Sequence, residues 1–87
     1  MYLIVAYDVH VKRVFKVMKF LRMYLHHVQN SVFEGKITES GYKELIEGLL
    51  NLINKEEDSV LVYQFRKKEV FRKRVFGIEK NLVDNIF

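Results

Sequence analysis

Asp8 is the residue of this sequence whose type and place could do chemistry most directly. It closes the unbroken apolar run Met1-Tyr2-Leu3-Ile4-Val5-Ala6-Tyr7 and stands immediately before a basic, helix-patterned segment. A carboxylate at the end of a strand can cap the following helix or sit solvated where the sheet ends, and on its own Asp8 is accounted for by either. It can also ligate a hard cation, because Mg²⁺ binds through one or two carboxylates and keeps water and phosphate in the rest of its shell. One aspartate per chain is thin for that purpose. A symmetric dimer with Asp8 near the two-fold axis would make it a pair.

The second set is cationic. Lys12, Arg13, Lys16, Lys19 and Arg22 follow Asp8 within one helical segment, and Arg66, Lys67, Lys68, Arg72, Lys73 and Arg74 cluster late in the chain with Phe71 among them. Such side chains solvate a helix face or an edge strand; beside Asp8 they could hold a phosphate backbone against a metal. Residues 1–33 and 60–87 each sum to +4, and residues 34–59 sum to −4, for a net +4. If the two basic ends meet in the fold, they form one positive face, the footprint of a polyanion partner. Other chemistries are excluded. There is no cysteine for a disulfide, a zinc thiolate or a thiol nucleophile. His10, His26 and His27 have no metal-ligand spacing. Ser31, Ser40 and Ser59 form no nucleophile elbow, and the four glycines form no phosphate loop, which removes serine hydrolases, P-loop NTPases and dinucleotide enzymes.

The elements that must position these residues follow from the apolar pattern. The 87 residues make one domain, 49% hydrophobic and 30% charged, so the chain folds rather than staying disordered. A core this small with no staple is marginal, which points to a dimer. No apolar run reaches the ~18 residues of a membrane span, so a cytoplasmic protein with no membrane partner is expected. Tyr2–Tyr7 reads as a central strand covered on both faces. Val11 to His26 reads as a helix with Val11, Val14, Phe15, Met18, Leu21 and Leu25 on its buried stripe. His27 to Ile37, with Gly35, reads as two short strands or one bent strand. Thr38 caps a second helix whose buried stripe is Tyr42, Leu45, Ile46, Leu49 and Ile53. Lys55–Asp58 is a charged turn, Ser59–Phe65 an apolar strand, Arg66–Glu69 a solvated turn, and Val70–Phe76 a further strand before Gly77. The order β, α, β-β, α, β, β predicts a ferredoxin-like α+β sandwich with an extra C-terminal strand. That scaffold alone specifies no activity.

Several of these residues also form a family pattern. Tyr7-Asp8-Val9 is followed by Lys16-Val17-Met18-Lys19-Phe20-Leu21, then by Val28-Gln29-Asn30-Ser31-Val32-Phe33-Glu34-Gly35 and by Asp58-Ser59-Val60-Leu61-Val62-Tyr63. Together they resemble the CRISPR-associated protein 2 family, the small subunit of the spacer-acquisition complex. The similarity runs from Met1 to about Phe65 and more weakly beyond; the Val-Gln-x-Ser-Val-Phe-Glu-Gly string is its specific part. The virulence-associated protein D toxins share the fold and the strand-end aspartate, but the string is not expected in them. The resemblance implies a homodimer whose C-terminal strand packs on the partner's sheet, Mg²⁺-dependent cleavage of RNA or duplex DNA, a grip on incoming duplex DNA, and an integrase subunit as partner. It places the catalytic, metal-binding role on Asp8, with Tyr7 before it, basic contacts at Arg13 and Lys16, and supporting roles at Ser31 and Phe33. His27 stands where many members have arginine, which weakens a nuclease role there, and Tyr24-Leu25 replaces a glycine before the second strand. A non-catalytic DNA scaffold and a toxin-type endoribonuclease are the rival readings.

Overall fold

A computed structural model describes residues 1–66 of the chain. Six elements occur in the order β1 (Tyr2–Asp8), α1 (Val11–Leu21), β2 (His26–Gln29), β3 (Val32–Lys36), α2 (Glu39–Leu52) and β4 (Ser59–Phe65). The strands form one sheet in the order β2-β3-β1-β4, and every neighbouring pair is antiparallel. The expected strand at Val70–Phe76 lies outside the described residues.

β1 is central because it can be buried on both sides. Alternation along a strand sends Leu3, Val5 and Tyr7 to one face and Tyr2, Ile4, Ala6 and Asp8 to the other. The first set packs with Val17 and Leu21 of α1, Leu45 and Leu49 of α2, and Phe33 of β3, so both helices cover that face. Full burial of each such side chain stabilises the fold by about 1.5–3 kcal/mol. On the opposite face Tyr2, Ile4 and Val32 form a second apolar cluster with Ala6, Val28, Tyr63 and Phe65 packed against it. The Tyr2 hydroxyl there donates to Glu34 Oε2 at 2.9 Å, giving a buried carboxylate a partner.

Two helical expectations change. α1 ends at Leu21 rather than at His26; the chain turns through Arg22–Tyr24, and His26 instead begins β2. The buried stripe of α1 is Val17 and Leu21, with Val14, Met18 and Phe20 half-buried, whereas Val11 is 80% and Phe15 72% exposed. The segment is apolar enough around its circumference to allow either stripe. Packing against α2 selects the one containing Phe20, whose ring occupies the space where a β-carbon at Gly48 would stand. α2 starts as expected: Thr38 Oγ1 accepts from the Gly41 N–H at 3.0 Å, and Glu39 lies in the first turn where the helix dipole favours an acid. The predicted Tyr42–Ile53 stripe is the observed one, with Leu45 and Leu49 at its centre. The His27–Ile37 region resolves into two strands joined at Asn30, which has a φ of 43°. Gly35 is no bend: it is a buried position of β3, where a β-carbon would press against Leu25.

Candidate functional site

Asp8 is the last residue of β1 and is exposed. It lies opposite Ser59, the first residue of β4, on the sheet face turned away from the helices. Among the described residues its carboxylate has no hydrogen-bond or ion-pair partner.

The loop that follows is held from an unexpected direction. Asp58, one residue before the strand position facing Asp8, reaches across to the start of α1. Its Oδ1 accepts from the His10 N–H at 2.8 Å and from Arg13 Nη2 at 3.0 Å, and its Oδ2 accepts from Arg13 Nε at 2.7 Å and from the Asn54 N–H at 2.8 Å. Arg13 Nη2 also donates to Glu57 Oε1 at 2.7 Å. The Asp58 side chain has no solvent exposure and that of Arg13 is 16% exposed. The hydrogen-bonded Arg13 guanidinium, helped by the two backbone N–H groups and opposed by desolvation, holds the Asp58 carboxyl well below the usual carboxylate range. Arg13 is raised in turn, chiefly by that hydrogen bond, and Glu57 is lowered by Arg13. This bidentate pair fixes the β1–α1 loop, and with it the backbone two residues beyond Asp8. His10 caps α1, its Nδ1 accepting from the Lys12 N–H at 3.2 Å.

The remaining sequence candidates fall in different places. Tyr7 does not join Asp8; it faces the helices, buried against Phe33 at a ring-centroid distance of 6.1 Å, and burial pushes its phenol up. Phe33 is fully buried and also stacks on His27 at 4.7 Å. His27 Nε2 donates to the Asn30 carbonyl at 2.7 Å, closing the β2–β3 turn. The Ser31 carbonyl accepts from the Tyr7 N–H at 3.0 Å, so that residue contributes backbone to the sheet. Lys12 and Lys16 are exposed on α1. Arg13, expected beside them on a phosphate, is instead engaged by two carboxylates. Arg66 follows β4 at the end opposite Asp8, since Phe65 pairs with Tyr2 while Ser59 pairs with Asp8. Six residues of extended strand make that separation roughly 20 Å, so Lys12 and Arg66 do not form one compact patch. Lys67 and Arg72 lie outside the described residues.

For a metal, the end of β1 supplies one exposed carboxylate of the right hard-oxygen chemistry, that of Asp8. Among the described residues no group of three or more His, Cys, Asp or Glu side chains could enclose an ion. Asp8 alone offers one hard-oxygen donor, so a cation there would need a further carboxylate from outside the described residues, with water and substrate oxygens in its remaining positions. Among the described residues no helix is long and apolar enough to cross a membrane.

The fold and site define a small α+β domain: a four-stranded antiparallel sheet with two helices, presenting a strand-end carboxylate beside a lysine-bearing helix. The chain belongs to the CRISPR-associated protein Cas2 family, whose model matches residues 1–73. It is 52% identical over 81 residues to a CRISPR-associated endoribonuclease Cas2 of Archaeoglobus fulgidus, covering 93% of this chain and 88% of that one. It is 48% identical over 86 residues to the Cas2 endoribonuclease of Thermococcus kodakarensis, covering 99% of each. A crystal structure of Cas2 superposes with a TM-score of 0.84 at 46% identity, covering 92% of this chain and 90% of the other. The Streptococcus pyogenes Cas2 structure matches at a TM-score of 0.71 and 32% identity, over 78% and 89% of the two chains.

Proposed function

We propose that the protein is a ferredoxin-like homodimer that cleaves phosphodiesters of RNA or DNA with Mg²⁺ held at Asp8, and that it serves CRISPR spacer acquisition by binding duplex DNA and bridging the integrase subunit. The observation that carries the nuclease reading is Asp8, exposed at the end of the central strand and unpartnered among the described residues, in a chain whose relatives are named endoribonucleases. The strand order and element order support the ferredoxin-like topology. Dimerisation is supported by the sheet face that carries Asp8. On it Ile4 and Val32 are already buried while Leu61 is 52% exposed, and a second copy seated against that face would bring two aspartates together.

The two Asp8 carboxylates of such a pair would hold a divalent ion, which when bound would polarise a phosphoryl oxygen and activate a water. The chain's own residues prepare the place. The β1 ladder fixes the Asp8 backbone on one side and the Asp58–Arg13 pair fixes the loop on the other, while Lys12 and Lys16 attract the phosphate chain. Arg13 thus acts as a positioning residue. A second reading, a scaffold that binds nucleic acid without cutting it, is favoured by the lack of a metal-holding acidic cluster around Asp8 among the described residues. The two are separated by assaying RNA and duplex DNA cleavage with and without Mg²⁺ for wild type and Asp8→Asn. The nuclease reading expects metal-dependent cleavage that the substitution abolishes while binding persists. Cleavage by Asp8→Asn at the wild-type rate would overturn it, and binding without cleavage by wild type would establish the scaffold.

A further inference from the structure

The Arg13 guanidinium divides its donors between two acids that are held unequally. Its Nε–Nη2 edge is filled by Asp58, at 2.7 and 3.0 Å. Asp58 also accepts from the His10 and Asn54 N–H groups and has no solvent exposure, so its carboxylate is part of the fold. Glu57 holds Arg13 by one bond alone, from Nη2 to Oε1 at 2.7 Å, and its side chain is 47% exposed. A guanidinium presents a second pair of parallel donors along its Nη1–Nη2 edge. Glu57 takes only the Nη2 half of that edge. Nη1 has no partner among the described residues. Nor is it among their buried side-chain atoms that lack a partner, so it reaches solvent. Arg13 lowers the Glu57 carboxyl, and Lys12 and His10 stand near enough to lower it further.

We infer that the Nη1–Nη2 edge of Arg13, with Lys12 beside it, is a phosphate site that Glu57 occupies in the free chain, and that a phosphodiester of bound nucleic acid displaces the Glu57 carboxylate. The inference rests on the proposed nucleic-acid substrate and adds how the free chain blocks one of its contacts. A phosphodiester has two unesterified oxygens and matches both donors of the edge, whereas Glu57 uses one. An ion pair as exposed as that of Glu57 is weakly held. Glu57 also stands in the turn between α2 and β4, where its side chain can swing out without disturbing a helix or strand. The exchange leaves the Asp58 bonds untouched, so Arg13 keeps its place and the β1–α1 loop with it. The site is on the helix side of the sheet end and Asp8 on the other face. The phosphate it holds is therefore a neighbour, along the nucleic acid, of the one at Asp8.

Glu57→Gln removes the charge and keeps the size of the side chain. Glu56→Gln is its control, because it removes the same charge one residue earlier, from a carboxylate with no ion pair among the described residues. Anisotropy of a labelled DNA duplex, with a chelator present, gives the affinity of wild type and both variants over a range of chloride concentrations. Binding by Glu57→Gln is expected to be about 2- to 5-fold tighter than wild type at low salt. Its log–log salt slope should steepen by about 0.9, since no freed carboxylate takes up the counterion that the phosphate releases. Glu56→Gln should stay within about 1.5-fold of wild type, with its slope unchanged. The Asp58 bonds should keep the melting midpoint of Glu57→Gln within about 8 °C of wild type. A larger fall would make Glu57 part of the fold and overturn the inference. Glu57→Gln binding no tighter than wild type, or equal gains in the two variants, would overturn it too and leave the proposed function standing. No binding by wild type or either variant at any salt concentration would overturn both.

Discussion

Phe33 separates a residue that makes the site from one that makes the fold. The family resemblance gives it a supporting role in the site, but the structure gives it a core position. It pairs with Val5 in β1 and with His27 in β2, is fully buried, and has the Tyr7 and His27 rings at 6.1 and 4.7 Å. Phe33→Ala removes the whole ring from the centre of a packed group spanning three strands. Truncations of this kind cost about 3–5 kcal/mol, because transfer and cavity contributions add. A domain of this size loses about 4–8 °C of melting temperature per kcal/mol, so the midpoint should fall by roughly 12–40 °C. Phe33→Leu, which refills much of the volume, should cost under about 2 kcal/mol. Circular dichroism melts at one fixed protein concentration measure this, since association couples to stability. Cleavage should be assayed well below the variant's midpoint and expressed per folded molecule, and should then be close to wild type. A Phe33→Ala protein that melts within about 5 °C of wild type yet does not cleave would refute the core assignment and return Phe33 to the site.

Asp58 should govern the acid limb of stability. Its carboxyl is held below the ordinary 3.8 by Arg13, so the unfolded chain binds the extra proton, and stability is lost as pH falls below about 4; urea titrations at pH 3 and 5 should show that slope flattened in Asp58→Asn, and an unaltered slope would exclude it as the source. Tyr2 behaves in the opposite sense: burial, with the Glu34 hydrogen bond and charge, pushes its phenol from 10.0 up to about 12. The folded chain keeps the proton longer, and stability should decline between pH 10 and about 12, less steeply in Tyr2→Phe, as alkaline melts will show. Reversing Lys12 and Lys16 to Glu should weaken binding of all duplex sequences alike and reduce the log–log salt slope by about 0.9 for each phosphate no longer neutralised, read by anisotropy at several salt concentrations; an unchanged slope would make both lysines mere solvating charge.

Sequence pattern sufficed where one face of an element is plainly apolar. The all-apolar Tyr2–Tyr7 run could only be a strand covered on both sides, and Thr38 with the Leu45–Leu49 stripe could only be a capped amphipathic helix. On α1 it placed Val14, Met18, Leu21 and Leu25 correctly against the core but also put Val11 and Phe15 there, where the fold uses Val17 and Phe20, the latter packed at Gly48 of α2. Asp8 was legible because it interrupts an apolar run at a strand end. The Asp58–Arg13 pair was not, because 45 residues separate the partners and local charge patterning cannot show that a turn acid meets a helix cation. Its one visible signal was an acid directly before a strand that would return beside β1. Tyr7 illustrates a related limit: the family resemblance gave it a supporting role beside Asp8, while strand alternation sends the two side chains to opposite faces.

The central claim is that two Asp8 carboxylates of a dimer hold one divalent ion. Mn²⁺ binding, followed by electron paramagnetic resonance of the free ion at known dimer concentration, measures this directly. One ion per two chains is expected in the wild type and none at the same concentrations in Asp8→Asn, with the dimer intact by light scattering. One ion per single chain, or binding undiminished in Asp8→Asn, would contradict it.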